Sequence, residues 1–223
     1  MSYKETQILI LATRNQHKVR ELQDMIGGLG FLVRALDDVA PDAPDVEESG
    51  QDFLENAVLK AISAYLSTGN QLSVADDSGI CVDALDGRPG IHSARFAGDD
   101  EANNDRLLAE LKGKSDRNAH YHCALALVCR RELLIENLPQ KNVHLSWPGL
   151  PEGAVLVETS GQVHGTITHE RQGSGGFGYD PLFYVPELER TFAQVDAKTK
   201  HPISHRGRAF AELVNFWERF ATP

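Results

Sequence analysis

Five polar clusters in this chain have residue types suited to binding phosphate, metal or a heterocycle. The first is the hexad Thr13-Arg14-Asn15-Gln16-His17-Lys18, which follows the apolar run Ile8-Leu9-Ile10-Leu11-Ala12. It joins an expected buried strand to an expected helix N-terminus, where free N–H groups and the helix dipole attract phosphate. Thr13 and Asn15 add hydrogen-bonding side chains and Lys18 adds a full charge. GxxxxGK[ST] is absent, so the loop is not a P-loop.

The second cluster is Asp76-Asp77-Ser78-Gly79, two adjacent carboxylates expected at the C-terminal end of a strand. Open α/β sheets place their ligands there. Hard oxygen donors suit magnesium, which takes one or two carboxylates and completes its shell with phosphate oxygens and water. The same four residues are also good β-turn sequence. The third, Glu47-Glu48-Ser49-Gly50, precedes a helix bearing Asn56 and Lys60. Either glutamate is a candidate second metal ligand, and Lys60 can reach phosphate.

The fourth cluster is the glycine-rich run from Gly173 through Phe177-Gly178-Tyr179-Asp180-Pro181. Glycines let backbone approach a ligand closely. An exposed Phe177 ring between them could stack on a nucleobase, worth ~1–3 kcal/mol. The fifth is Lys200 with Ser204-His205-Arg206, whose donors suit a base carbonyl or a phosphate. Each cluster alone has an ordinary reading as a capped turn or a solvated loop. Together they supply a phosphate cradle, a metal pair, a base platform and base-reading donors.

The elements that must position these groups follow from periodicity. Strands are expected at Ile8–Ala12, Phe31–Leu36, Leu72–Ala75, Ile80–Leu85 and Tyr121–Cys129. Val155–Thr159 and Gln162–Thr168 alternate around Ser160-Gly161, which reads as a hairpin. Helices are expected from Val19, Leu22 and Ile26 up to Gly27-Gly28, from Phe53 to Gly69, from Glu101 to Leu111, and after an N-cap at Ser204. The acidic stretch from Asp37 to Gly50 reads as a loop. Interleaved strands and helices make the class α/β, with a mixed sheet.

The 223 residues show one composition throughout, consistent with a single domain. A formal net charge of −10 excludes bulk binding to nucleic acid, which needs a basic face. Cys81, Cys123 and Cys129 have neither CxxC nor zinc-site spacing and read as free thiols of a reducing compartment. No run approaches the ~20 apolar residues of a membrane span, so no membrane partner is expected. The expected location is the cytoplasm.

Thr13-Arg14-Asn15-x-x-Lys18, Ala75-Asp76-Asp77-Ser78-Gly79, Gly175-Gly176-Phe177-Gly178-Tyr179-Asp180-Pro181 and Ser204-His205-Arg206 resemble, in order and spacing, the signature blocks of a known family. This is the inosine triphosphate pyrophosphatase family, also described as dITP/XTP pyrophosphatases. Phe53-x-Glu55-Asn56-Ala57 with Lys60 and Pro89-Gly90-Ile91-x-Ser93-Ala94-Arg95 extend the resemblance from Ile8 to Phe210. It implies one two-lobed domain over residues 1–223, with a long mixed sheet flanked by helices, an active-site cleft between the lobes, and a homodimer. It implies a magnesium-dependent hydrolysis of ITP, dITP or XTP to the monophosphate and pyrophosphate.

In that resemblance Thr13, Asn15 and Lys18 hold the phosphates, with Lys60 assisting; Lys18 and Lys60 count as catalytic, and Arg14, Gln16 and His17 are further substrate-binding candidates of the same loop. Asp77 is general base and metal ligand, and Glu47 or Glu48 is the other metal carboxylate. Ser78 touches the substrate and Phe177 stacks on the base. Gly178, Tyr179, Asp180, Lys200, His205 and Arg206 line the base and sugar. Arg14 and His17 stand where the family favours glycine, and the 131–160 segment is longer than usual.

Overall fold

The computed structural model describes residues 7–13, 16–26 and 30–222, apart from the side chains of Gln16, His17, Glu21 and Met25. The chain alternates strands and helices. β1 (Gln7–Leu11) leads to α1 (Gln16–Ile26), β2 (Phe31–Ala35), the short α2 (Leu36–Val39) and α3 (Phe53–Ser67). β3 (Ser73–Val82), α4 (Asp100–Glu110) and β4 (Asn118–Arg130) follow. β5 (Val143–His144), β6 (Ala154–Ile167), β7 (Phe183–Val185), β8 (Arg190–Thr191), α5 (Ala197–Lys200) and α6 (His205–Phe220) complete the order.

The strands form one sheet in the order β2-β1-β3-β4-β6-β7-β8, with β5 paired to β6. β1 runs parallel to β2, from Gln7 opposite Phe31 to Leu11 opposite Ala35, and parallel to β3. β6–β7, β7–β8 and β5–β6 are antiparallel, so the sheet is mixed. Among the described residues no helix is long and apolar enough to cross a membrane.

The chain divides into two compact units. The first holds the segment up to Asp77, Ala124–Thr159 and the segment from Phe210 onward; the second holds Ser78–Cys123 and Ser160–Ala209. In the first, α3 packs Ala57, Val58, Ala61 and Tyr65 against Ala75, Ala126, Val128 and Leu156 of the strands. The small alanines let helix and sheet approach closely, and the Asp52 carboxylate caps α3 by accepting from the Glu55 N–H at 2.8 Å. In the second, Leu107 of α4 and Leu111 join Ile80, Tyr121, Ile167, Phe183 and Phe192 in a separate core.

Four sequence expectations need correction. Ser160-Gly161 does not turn: β6 runs unbroken through both residues. A Cβ on Gly161 would overlap the backbone of His205 and Ala209, so the glycine admits α6 against the strand. Asp76-Asp77-Ser78-Gly79 is neither a turn nor a strand end; it lies inside β3, which also absorbs Ile80–Val82. That strand stops at Val82, and Asp83–Leu85 forms a 3-10 turn. The expected loop after Leu36 begins with the helical turn α2. The expected helix stop at Gly27-Gly28 lies outside the described residues.

Candidate active site

In the first unit, β3 carries Asp76 and Asp77 as neighbours, and alternation along a strand sends their side chains apart. Each meets its own lysine. Lys18, in the first turn of α1, donates to both Asp76 oxygens at 3.0 and 3.1 Å. Lys60 of α3 lies 2.8 Å from Asp77 Oδ1 and 3.2 Å from Glu48 Oε1. One ammonium therefore joins two carboxylates that the sequence separates widely. Glu47 is exposed, whereas Glu48 turns inward, so Glu48 is the glutamate that accompanies Asp77.

Burial pushes the Asp77 carboxyl above its ordinary value, and the nearby Lys60 ammonium only partly counters this. For Lys60, burial favours the neutral amine, but Asp77, Asp76 and Glu48 outweigh it and raise its pKa. Each group favours the charged form of the other, enough to outweigh burial at Lys60 but not at Asp77.

Asn56 lies one turn before Lys60 on α3. Its side chain is fully buried; Oδ1 accepts from the Gly50 N–H at 2.8 Å and Nδ2 reaches Asp77 Oδ2 at 3.4 Å. Gly50 has no room for a Cβ beside Asn56. The pair draws the Glu48-bearing segment toward β3. Thr13 lies two residues past the end of β1, and its N–H donates to the Leu11 carbonyl. Arg14 and Asn15 lie outside the described residues, as do the side chains of Gln16 and His17; the backbone of the latter two opens α1.

In the second unit, Ser204 caps α6 by accepting the Gly207 N–H at 3.0 Å. This sets His205 and Arg206 at the helix head, both largely buried. Arg206 Nη2 donates to Ser78 Oγ at 3.0 Å. The His205 ring stacks on Tyr121 with centroids 4.6 Å apart and planes 7° from parallel. Nothing local in the sequence marked Tyr121 for this.

Phe177 is 53% exposed, unusual for a phenylalanine with cationic neighbours. Lys200 Nζ sits 4.6 Å from its centroid and the Arg206 guanidinium 5.4 Å. Gly176 and Gly178 flank it at φ +74° and +60°, which a side chain rarely adopts. Asp180 Oδ2 accepts both the Phe177 N–H at 3.0 Å and Lys200 Nζ at 2.5 Å. The Tyr179 ring is buried and its hydroxyl donates to the Ser93 carbonyl at 2.9 Å. Burial pushes its phenol well up.

The first unit therefore gathers Lys18, Lys60, Glu48, Asp76 and Asp77, a charge set suited to a polyanion and a hard cation. The second gathers Ser78, Phe177, Asp180, Lys200, His205 and Arg206, suited to a flat heterocycle with carbonyl acceptors.

Residues 9–216 match the Ham1 family. A dITP/XTP pyrophosphatase of Gloeobacter violaceus is 44% identical over 207 residues, covering 93% of this chain and 92% of that one. A dITP/XTP pyrophosphatase of an Exiguobacterium species is 45% identical over 208 residues, covering 92% and 94%. Among solved structures, a HAM1 protein from Coxiella burnetii is similar with a TM-score of 0.79 at 34% identity, covering 96% of this chain and 99% of that one. The Staphylococcus aureus Ham1 protein gives 0.76 at 36% identity, with the same coverage. With a family match over nearly all its length and relatives this similar, the chain belongs to the Ham1 family.

Proposed function

We propose that this chain hydrolyses the nonstandard purine nucleoside triphosphates ITP, dITP and XTP to the monophosphate and pyrophosphate, clearing them from the nucleotide pool. The observation that carries the reading is the buried Asp77 carboxylate sharing Lys60 with Glu48. A carboxylate whose pKa is raised by burial is a stronger base than one in water. Asp77 takes the proton of the water that attacks the α–β phosphoanhydride. Water adds to phosphorus, the bridging bond breaks, and pyrophosphate leaves. Lys18 and Lys60 offset the charge of the triphosphate, with Thr13, Arg14, Asn15, Gln16 and His17 forming the rest of the cradle.

Asp77 and Glu48 fit magnesium, because two carboxylates are the protein share this ion usually takes. When bound, magnesium neutralises phosphate charge and polarises the reacting oxygens. The base end of the substrate falls to the second set. Phe177 stacks on the purine. His205 and Arg206 donate to the 6-oxo group, with Lys200, Asp180, Gly178 and Ser78 beside base and sugar. A 6-amino group would set donor against donor, a mismatch that can reach ~10⁴-fold in a site built around hydrogen bonds. The proposal includes a homodimer acting in the cytoplasm, with residues 1–223 as one domain.

The test is pyrophosphate release with magnesium from ITP, dITP, XTP, GTP, ATP and the pyrimidine triphosphates. Strong release from ITP, dITP and XTP with poor release from ATP and pyrimidines is the expected outcome. Preference for a pyrimidine would overturn the base assignment, and no release from any substrate would overturn the reaction.

A further inference from the structure

The side chain on which base binding most depends is poorly held by packing. Phe177 is 53% exposed, so burial does little to fix its ring. Its backbone neighbours have positive φ, and among the described residues no atom beyond the adjoining Phe177 and Tyr179 lies within 4 Å of where a Gly178 Cβ would be. A glycine in open space has wide freedom unless something grips its peptide groups.

Helix α4 does so from both sides. The Gly178 N–H donates to Asp100 Oδ2 at 2.7 Å, and the Gly178 carbonyl accepts from Asn104 Nδ2 at 2.8 Å. Asp100 and Asn104 are four residues apart on one helix and so share a face. Asn104 is only 3% exposed, and its Nδ2 also donates to the Asp100 carbonyl at 2.6 Å. Its Oδ1 is buried without a hydrogen-bond partner. A buried orphan acceptor destabilises the fold. An amide held there at that cost is used for its N–H groups, and one of them is spent on Gly178.

We propose that Asn104, together with Asp100, is a positioning residue for Phe177. The two residues fix the Gly178 peptide, so the ring stands in stacking geometry before nucleotide arrives. Preorganisation of this kind strengthens binding because no loop must be ordered on association. The proposal rests on the reading of Phe177 as the base platform.

Two variants separate the clamp from general structure. Asn104→Asp keeps the shape and removes the donor. Asp100→Ala removes the acceptor at an exposed position and leaves the helix cap, Asp99, which accepts from the Ala102 N–H at 2.8 Å. Each is measured with Phe177 present and in a Phe177→Ala background, using KM and kcat for ITP and inhibition by tripolyphosphate. Each variant alone should raise KM for ITP about 5- to 20-fold, with kcat within about twofold and tripolyphosphate inhibition unchanged. Combined with Phe177→Ala, neither should add to the KM of that variant, since residues acting through one another are not additive.

A rise of the same size without the Phe177 ring overturns the proposal, as does an unchanged KM in both single variants. Hydrogen exchange at the Gly178 amide tests the clamp without nucleotide and should quicken about tenfold or more in Asp100→Ala. If Phe177→Ala itself leaves KM unchanged, the platform reading fails. Faster Gly178 exchange would then still support the clamp, and unchanged exchange would overturn it.

Discussion

Lys60→Met removes one charge and keeps the aliphatic stem, so its effect can be worked from the geometry. The ammonium lies 2.8 Å from Asp77 Oδ1 and 3.2 Å from Glu48 Oε1. At an effective dielectric of about 20, each contact is worth about 5–6 kcal/mol of gross attraction. Desolvation of the three ions offsets most of that. Removing one partner of a buried pair usually costs ~3–5 kcal/mol. Here the Lys60 and Asp77 side chains are still 16% and 13% exposed, so about 2–4 kcal/mol is the better figure. For a chain of this size, ~2–4 °C of Tm accompanies each kcal/mol, giving a fall of about 4–16 °C at pH 8 without magnesium.

The loss should shrink in acid. Burial already raises the Asp77 pKa, and losing Lys60 raises it further. Between the unfolded and the raised folded value, the native state holds the extra proton. Stability therefore falls as pH rises through that window and recovers as pH drops. Thermal melts of both proteins at pH 5 and pH 8 in EDTA measure this. An unchanged Tm, or the same deficit at both pH values, refutes the reasoning. Added magnesium should lift the variant more than the parent, because without the Lys60 charge the two carboxylates attract a dication more strongly.

Three further outcomes follow from the geometry. Asp77→Asn should keep Tm within a few degrees while kcat falls ~10²–10⁴-fold, the usual share of a general base; undiminished turnover removes the mechanism. Phe177→Ala should raise KM for ITP about 5- to 150-fold, the equivalent of losing one base stack, while inhibition by pyrophosphate stays constant. Equal losses for both ligands would sink the stacking role. Gly161→Ala should destabilise by at least ~1–3 kcal/mol, because the new methyl meets the backbone of His205 and Ala209 rather than a movable side chain. A melting curve unchanged by that substitution would mean that β6 and α6 separate freely.

How much was legible depended on whether a pattern had one physical cause or two. The apolar run into β1 and the period of Phe53, Ala57, Ala61 and Ala64 could only be a buried strand and a core-facing helix. Both formed, although β1 runs Gln7–Leu11 and is buried only from Leu9 to Leu11, with Ile8 46% exposed. Ser160-Gly161 and Asp76-Asp77-Ser78-Gly79 have turn composition, but glycine is also chosen where backbone must approach backbone. At Gly161 tertiary packing decided. Glu47 and Glu48 are chemically identical neighbours, and only the inward path of the chain toward Lys60 separates them. Asp100 and Asn104 act on a residue more than seventy positions away through main-chain atoms, a relation that leaves no local signature. Tyr121 opens an expected strand, and its ring lies flat against His205, a residue more than eighty positions away.

The boundaries between the two compact units fall after Asp77, Cys123, Thr159 and Ala209. Those places lie inside β3, β4, β6 and α6, never in a connecting loop. Linkers are where recombination can join foreign segments without breaking a hydrogen-bond ladder. This chain offers none at those four boundaries, so an exchange of one unit for a foreign one would cut three strands and a helix. Under the proposed function, specificity in such a protein changes residue by residue on strands that both units share.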